Sequence, residues 1–83
     1  MTLRTHRSKL GRRLGAVIVR LRQAKGWSRA TLARRAGISD TYVRLLELGD
    51  NVPTLTVLVE LAAVLGVSPA ELVREVTEPD PPG

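Results

Sequence analysis

Apolar residues recur at three- and four-residue intervals in five stretches of the chain, and serine, threonine or glycine brackets nearly every one. Leu10, Leu14, Val17, Ile18 and Leu21 form the first stripe, the period of a helix with one buried face. The first helix is therefore expected from about Ser8 to Lys25. Gly11 and Gly15 weaken its early turns. Leu32, Ala33 and Ala36 mark a second helix, which follows Ser28 and runs to Ala36. Val43 and Leu46 mark a third, after Ser39 and up to about Leu48, where Gly49 stops it. Leu55, Leu58, Leu61, Ala62 and Leu65 are the expected buried positions of a fourth, opened by Thr54 and ended by Gly66. The fifth carries Leu72, Val73 and Val76. It has the clearest start: a Ser68 cap, proline at the first helical position and glutamate at the third. It stops near Thr77. No segment alternates with the period of a strand, so the expected fold class is all-α, a compact five-helix bundle.

Three of the joints share one spelling: Gly26-Trp27-Ser28, Gly37-Ile38-Ser39 and Gly66-Val67-Ser68. The glycine suits the left-handed conformation that closes a helix, and the serine hydroxyl caps the free amides of the next. The apolar residue between them is placed to clamp onto Leu32, Val43 or Leu72. A three-residue joint between two short helices sets a steep angle, so the middle triplet defines a helix-turn-helix. Its docking residues are Leu32, Ala33, Ile38, Val43 and Leu46. Asp40, Thr41, Arg44, Leu45 and Leu48 remain on the outer face of the third helix.

The ends lack periodicity. Residues 1–7 read as a flexible basic arm and residues 78–83 as a disordered, acidic, proline-rich tail, leaving one domain over 8–77. Eighty-three residues support one modest core. Phenylalanine is absent, so that core is aliphatic, with Trp27 and Tyr42 at its centre or rim. Cysteine is absent too, which removes disulfides and thiolate metal sites and fits a reducing, cytoplasmic location. The apolar run from Leu55 to Val67 is interrupted by Glu60 and falls short of the ~20 residues of a membrane helix. Ala16 to Val19 is too short for the core of a signal peptide.

Charge changes the picture more than composition does. The net charge is +5, but residues 1–39 hold eleven of the thirteen Lys and Arg and no acid. Residues 40–83 hold two Arg and all eight acids. One strongly positive end attracts polyanions, nucleic acid first and anionic membrane second.

The residues in order resemble a known family. Leu21-Arg22, Lys25-Gly26, Ser28-Arg29-Ala30-Thr31-Leu32-Ala33, Gly37-Ile38-Ser39, Leu46-Glu47, Gly49, Pro53-Thr54-Leu55 and Leu65-Gly66-Val67 are similar to the Cro/phage-repressor (XRE) helix-turn-helix family. The similarity spans Leu14 to Val73, about three-quarters of the chain. Thr41-Tyr42-Val43 is similar to the restriction-modification controller subgroup. The resemblance implies a lambda-repressor-like DNA-binding domain. It also implies a transcriptional regulator that works as a homodimer on a two-fold symmetric operator in double-stranded DNA. It places Asp40, Thr41, Arg44 and Leu45 where the family reads bases, Arg29 beside a phosphate, and Arg22 with Glu47 as an ion pair joining the first and third helices.

The chemistry of the residues leaves alternatives open. Arg29 opens a helix, where a cation is disfavoured by ~0.3–1 kcal/mol unless an anion binds there. Ser28, Ser39, Arg34 and Arg35 are candidate phosphate contacts and equally fit caps and solvated faces. Arg44 reaches far enough for guanine, or pairs with Asp40 four residues earlier. Asp40 suits the first turn of a helix whether or not it meets a base. Leu45 and Leu48 fit thymine methyls or a neighbouring helix. Val64, Val73 and Val76 are candidate dimer contacts, being apolar beyond what one inward stripe needs. An enzyme would need a nucleophile with its base, paired acid and base, a metal cluster or a phosphate loop. The single histidine, His6, lies in the arm, and no such set is present. No cofactor, metal, membrane or small-molecule effector is indicated. The rival reading is a protein-interaction module, such as an antitoxin, that uses the apolar face.

Overall fold

The computed structural model describes the backbone of residues 3–78 and the side chains of residues 9–78. Five helices follow in order: α1 (Leu3–Ala24), α2 (Arg29–Ala36), α3 (Asp40–Leu48), α4 (Leu55–Leu65) and α5 (Pro69–Thr77). No strand occurs among the described residues. The helix α1 packs on α3 and α5, α2 packs on α3 and α4, and α4 packs on α5.

The capping chemistry is the one the joints encode. Ser28, Ser39, Thr54 and Ser68 each accept a hydrogen bond from the backbone amide three residues on. Such caps contribute ~1 kcal/mol apiece. At the helix-turn-helix joint Gly37 has φ 70°, a conformation that places the Ile38 amide on the Ala33 carbonyl at 3.0 Å. A side chain at residue 37 would be strained there. The helix α5 departs from α4 at 105°. No single helix among the described residues is long and apolar enough to cross a membrane.

Two expectations are corrected. Residues 3–7, expected as a flexible arm, are the first turns of α1. No residue from 4 to 9 is apolar, so the apolar pattern is silent there. The tail expected over 78–83 lies, beyond Glu78, outside the described residues. Leu55, expected in the core, is 75% exposed. It is the first residue of α4 and precedes the turns that meet α2 and α5. Leu61, Ala62 and Leu65 carry that packing and are buried. The core joins them to Leu14, Ile18, Leu32, Ala33, Val43, Leu46, Leu72 and Val76.

Gly11 and Gly15 have a role beyond weak helix propensity. A methyl group on Gly15 would lie 2.6 Å from the Leu46 carbonyl oxygen and 2.7 Å from that of Glu47. One on Gly11 would lie 2.8 Å from the Gly49 carbonyl oxygen. The backbone of α1 thus crosses the end of α3 at a distance that only glycine permits.

A buried ion pair locks the same crossing. The Glu47 side chain is 2% exposed. It accepts from Arg22 Nε at 2.7 Å and Arg22 Nη2 at 3.2 Å, and Arg22 Nη1 donates to the Trp27 carbonyl at 2.8 Å. Burial alone would raise the carboxyl pKa. Hydrogen bonds and positive charge from Arg22 and Arg29 outweigh that and hold it below the usual carboxylate range. At the far end of the bundle, Arg20 pairs with Glu75, and Arg13 donates to the Val76 carbonyl at 3.3 Å and to that of Glu78. These contacts tie α5 to α1.

Two outcomes are expected. Gly15→Ala forces α1 off α3 and should destabilise by ~1–3 kcal/mol, the usual range for overpacking. A drop of roughly 4–8 °C in melting temperature per kcal/mol, followed by circular dichroism, checks it. The Glu47 carboxyl binds its proton less readily folded than unfolded, so its contribution is present above the ordinary glutamate range near ~4.3 and fades as pH falls through the lower folded value. Urea unfolding of wild type and Glu47→Gln as a function of pH should converge on the acid side and separate toward neutrality.

Candidate nucleic-acid interface

The two short helices α2 and α3 present the candidate surface. Val43 and Leu46 anchor α3 in the core and Leu32 and Ala33 anchor α2. A helix of 3.6 residues per turn then turns the intervening positions outward. Asp40, Thr41, Arg44 and Leu48 are exposed, and Leu45 is half-buried. Tyr42 and Trp27 pack against the core as partly buried rim residues.

Asp40 and Arg44 form no ion pair, although they stand one turn apart, and Arg44 takes part in no interaction among the described residues. Its guanidinium is available to a ligand. The outer face of α3 is therefore open, with a cation one turn in from an N-terminus capped by Ser39. The Ser39 oxygen accepts from the Tyr42 amide at 3.0 Å, which leaves its hydroxyl proton to donate.

The other candidates fall into separate environments. Arg29, the first residue of α2, is bound by protein: its Nε donates to Glu47 Oε1 at 2.7 Å, while its side chain stays 48% exposed. The family resemblance implies the Arg22–Glu47 pairing, but this second arginine on the same carboxylate, eighteen residues away on another helix, has no sign in the sequence. Ser28 accepts from the Thr31 amide, and its hydroxyl also meets that of Thr31 at 3.0 Å. Arg34 is exposed without an ion pair among the described residues. Arg35 lies over the Trp27 ring at 4.7 Å and Lys25 lies over it at 5.2 Å, two cations attracted to one indole face system. Among the described residues no group of His, Cys, Asp or Glu has the arrangement to hold a metal.

The dimer candidates divide. Val76 is 7% exposed and belongs to the core, so it offers a second chain only the edge that it shows in the groove beside it. It falls on the inner face of α5 with Leu72, four residues before it. Val64 is partly buried against the core, whereas Val73 is 42% exposed. Val59, apolar beyond the inward stripe of α4, is exposed, and so are Val52 and Leu55. An apolar groove of about 150 Å³ runs between α1, the α3–α4 turn and α5, lined by Leu10, Val52, Pro53, Leu58, Val73 and Val76 among others.

Known proteins carry the same arrangement. The helix-turn-helix family HTH_3 matches residues 18–72, the span from the middle of α1 through the start of α5. An HTH-type transcriptional regulator of Sinorhizobium fredii, y4dJ, is 42% identical over 65 residues, which is 78% of this chain and 84% of that protein. Among solved structures, the clp gene regulator ClgR from Corynebacterium glutamicum superposes with a TM-score of 0.75 at 30% identity, covering 81% of this chain and 71% of that one. The restriction-modification controller protein C.AhdI from Aeromonas hydrophila superposes with a TM-score of 0.66 at 37% identity, covering 82% of this chain and 97% of that one. An open third helix on a glycine-hinged corner and similarity across most of the length thus agree: the chain belongs to the helix-turn-helix family of transcriptional regulators.

Proposed function

We propose that this regulator binds double-stranded DNA sequence-specifically, as a homodimer on a two-fold symmetric operator. The observation that carries the reading is the outer face of α3, where Asp40, Thr41, Arg44 and Leu48 are exposed and Arg44 is unpaired among the described residues. In helix-turn-helix proteins such a face enters the major groove N-terminus first. Arg44 then donates to guanine O6 and N7. Thr41 meets a thymine methyl or a phosphate, and Asp40 accepts from a cytosine amino group. Leu45, half-buried at the foot of that face, offers its outer edge to a thymine methyl. Ser28, Arg29, Arg34, Arg35 and Ser39 are the phosphate contacts. Of these, Arg34 is without a partner among the described residues, while Arg35 must share its guanidinium with Trp27. The acid-free first half of the chain supplies the long-range attraction.

One helix-turn-helix reads a few base pairs, and pairing two copies sets half-sites ~34 Å apart. Val73, with the adjoining apolar groove, supports a contact between copies on the α5 side. The competing reading, an antitoxin-like interaction module, draws on exposed Leu48 and Leu55. It requires an apolar partner rather than a polyanion.

Salt separates the two. A protein making ~6–10 phosphate contacts should lose roughly 10³–10⁵ in DNA affinity between 50 and 200 mM salt, while apolar partner binding should hardly respond. Selection of bound duplexes from a random pool should return a palindrome, and absence of enrichment would reject sequence-specific binding. Arg44→Ala should cost ~1–3 kcal/mol on the selected site and little on random duplex; equal losses on both would reject base reading by Arg44. Val73→Asp should shift the chain toward monomer in sedimentation without changing its circular dichroism. An unchanged association constant would place the dimer contact elsewhere.

A further inference from the structure

Arg29 is half-exposed at the start of α2, yet one of its nitrogens is held by an almost fully buried carboxylate. The division of labour on Glu47 is specific. Both of its oxygens accept from Arg22, one from Nε and one from Nη2. Oε1 then takes a further bond from Arg29, and it takes it from Nε, the nitrogen nearest the stem. The two terminal nitrogens of Arg29 have no partner among the described residues. A guanidinium fixed through Nε is a planar fork with its outer edge unoccupied. That is the geometry that meets two oxygens of one phosphate.

The charges agree with this direction. Glu47 carries one negative charge between two arginines, so the group keeps a net positive charge. The carboxylate is 2% exposed, out of reach of an arriving anion, whereas Arg29 is the exposed member. The fork also stands on the first residue of α2, where the helix dipole favours an anion.

We infer that Glu47 is a positioning residue for DNA binding: its buried carboxylate anchors Arg29 by Nε and holds the outer edge of that guanidinium ready for a backbone phosphate. The inference rests on the DNA-binding reading above. Its mechanism is the removal of side-chain freedom before binding. A free arginine must be immobilised when the phosphate arrives, and one already held loses less.

Simple electrostatics predicts the opposite result, which makes the idea testable. Neutralising Glu47 makes the surface more positive, so charge alone would tighten binding to DNA. Loss of the anchor would weaken it. The probe is a mixed-sequence duplex of about 20 base pairs, since phosphate contacts carry no sequence information. Binding is titrated by fluorescence anisotropy at several salt concentrations, with circular dichroism to verify folding.

Glu47→Gln should weaken binding roughly 3- to 10-fold with the salt dependence unchanged. Arg29→Ala should weaken it and lower the salt slope by about 1. In the double variant the Glu47 change should add little, because its effect passes through Arg29. Tighter or unchanged binding by Glu47→Gln overturns the inference. So does a Glu47→Gln loss of equal size with and without Arg29, which is what a merely structural role would give. If Glu47→Gln does not fold, Arg29→Lys decides: it keeps the charge on an exposed side chain but lacks the fork. It should lose roughly 3- to 10-fold, and wild-type binding by Arg29→Lys overturns the inference. Wild-type protein that binds no duplex at low salt would instead reject the DNA-binding reading itself.

Discussion

Between the middle of α1 and the end of α3 there is room for a hydrogen atom and no more. The Gly15 backbone sits against the carbonyls of Leu46 and Glu47, and that of Gly11 against Gly49. Everything that α3 offers outward follows from this contact. A helix of nine residues has too little surface of its own to fix its orientation. Close approach to a long neighbour provides it, and brings Arg22 within reach of Glu47. Backbone contact and buried ion pair act at one crossing. The first sets how near the helices lie, and the second resists rotation of α3 about its own axis.

The ion pair also joins the frame to the surface. Its carboxylate is shared between an arginine of α1 that is itself largely covered and an arginine of α2 that is half open to solvent. Three helices therefore meet at one buried acid. Burying a charge is costly unless it is paired and hydrogen-bonded. Here both oxygens are engaged, and no buried side-chain polar atom is left without a partner among the described residues. The opposite end of the molecule uses its charges differently. Arg20 with Glu75, and Arg13 with the carbonyls at the end of α5, fasten the acidic half to the basic one. Those arginines are absorbed in the structure. Arg34 and Arg44 are not: both are exposed and without an ion pair among the described residues, so the helix-turn-helix keeps free positive charge on its surface.

Local contacts are written in the amino-acid sequence and non-local ones are not. Caps and joints were legible because Ser28, Ser39, Thr54 and Ser68 act on amides three residues away. The same holds for the glycine that closes each of α2, α3 and α4. The outer face of α3 was legible by helical period. The destination of its neighbours was not. Leu55 has the composition of a core residue and stands outside, while Val76 looked surplus and stands inside. Period alone gives a stripe but not which end of it another helix covers. The first turns of α1 were missed because basic residues occupy them and apolar spacing is silent there.

What the linear chain determined by itself was the set of helices from α2 to α5, their caps, the glycine-hinged corner and the separation of charge, since each depends on neighbours within a few residues or on composition. What tertiary structure decided was how those parts are used. Two glycines that seemed only to weaken a helix became the crossing point, a glutamate expected to hold one arginine was found to hold two, and Arg44 was left without the acid one turn before it. Each of these rests on distances between helices or on side-chain rotamers chosen in the packed state. Such distances are set by the whole core at once.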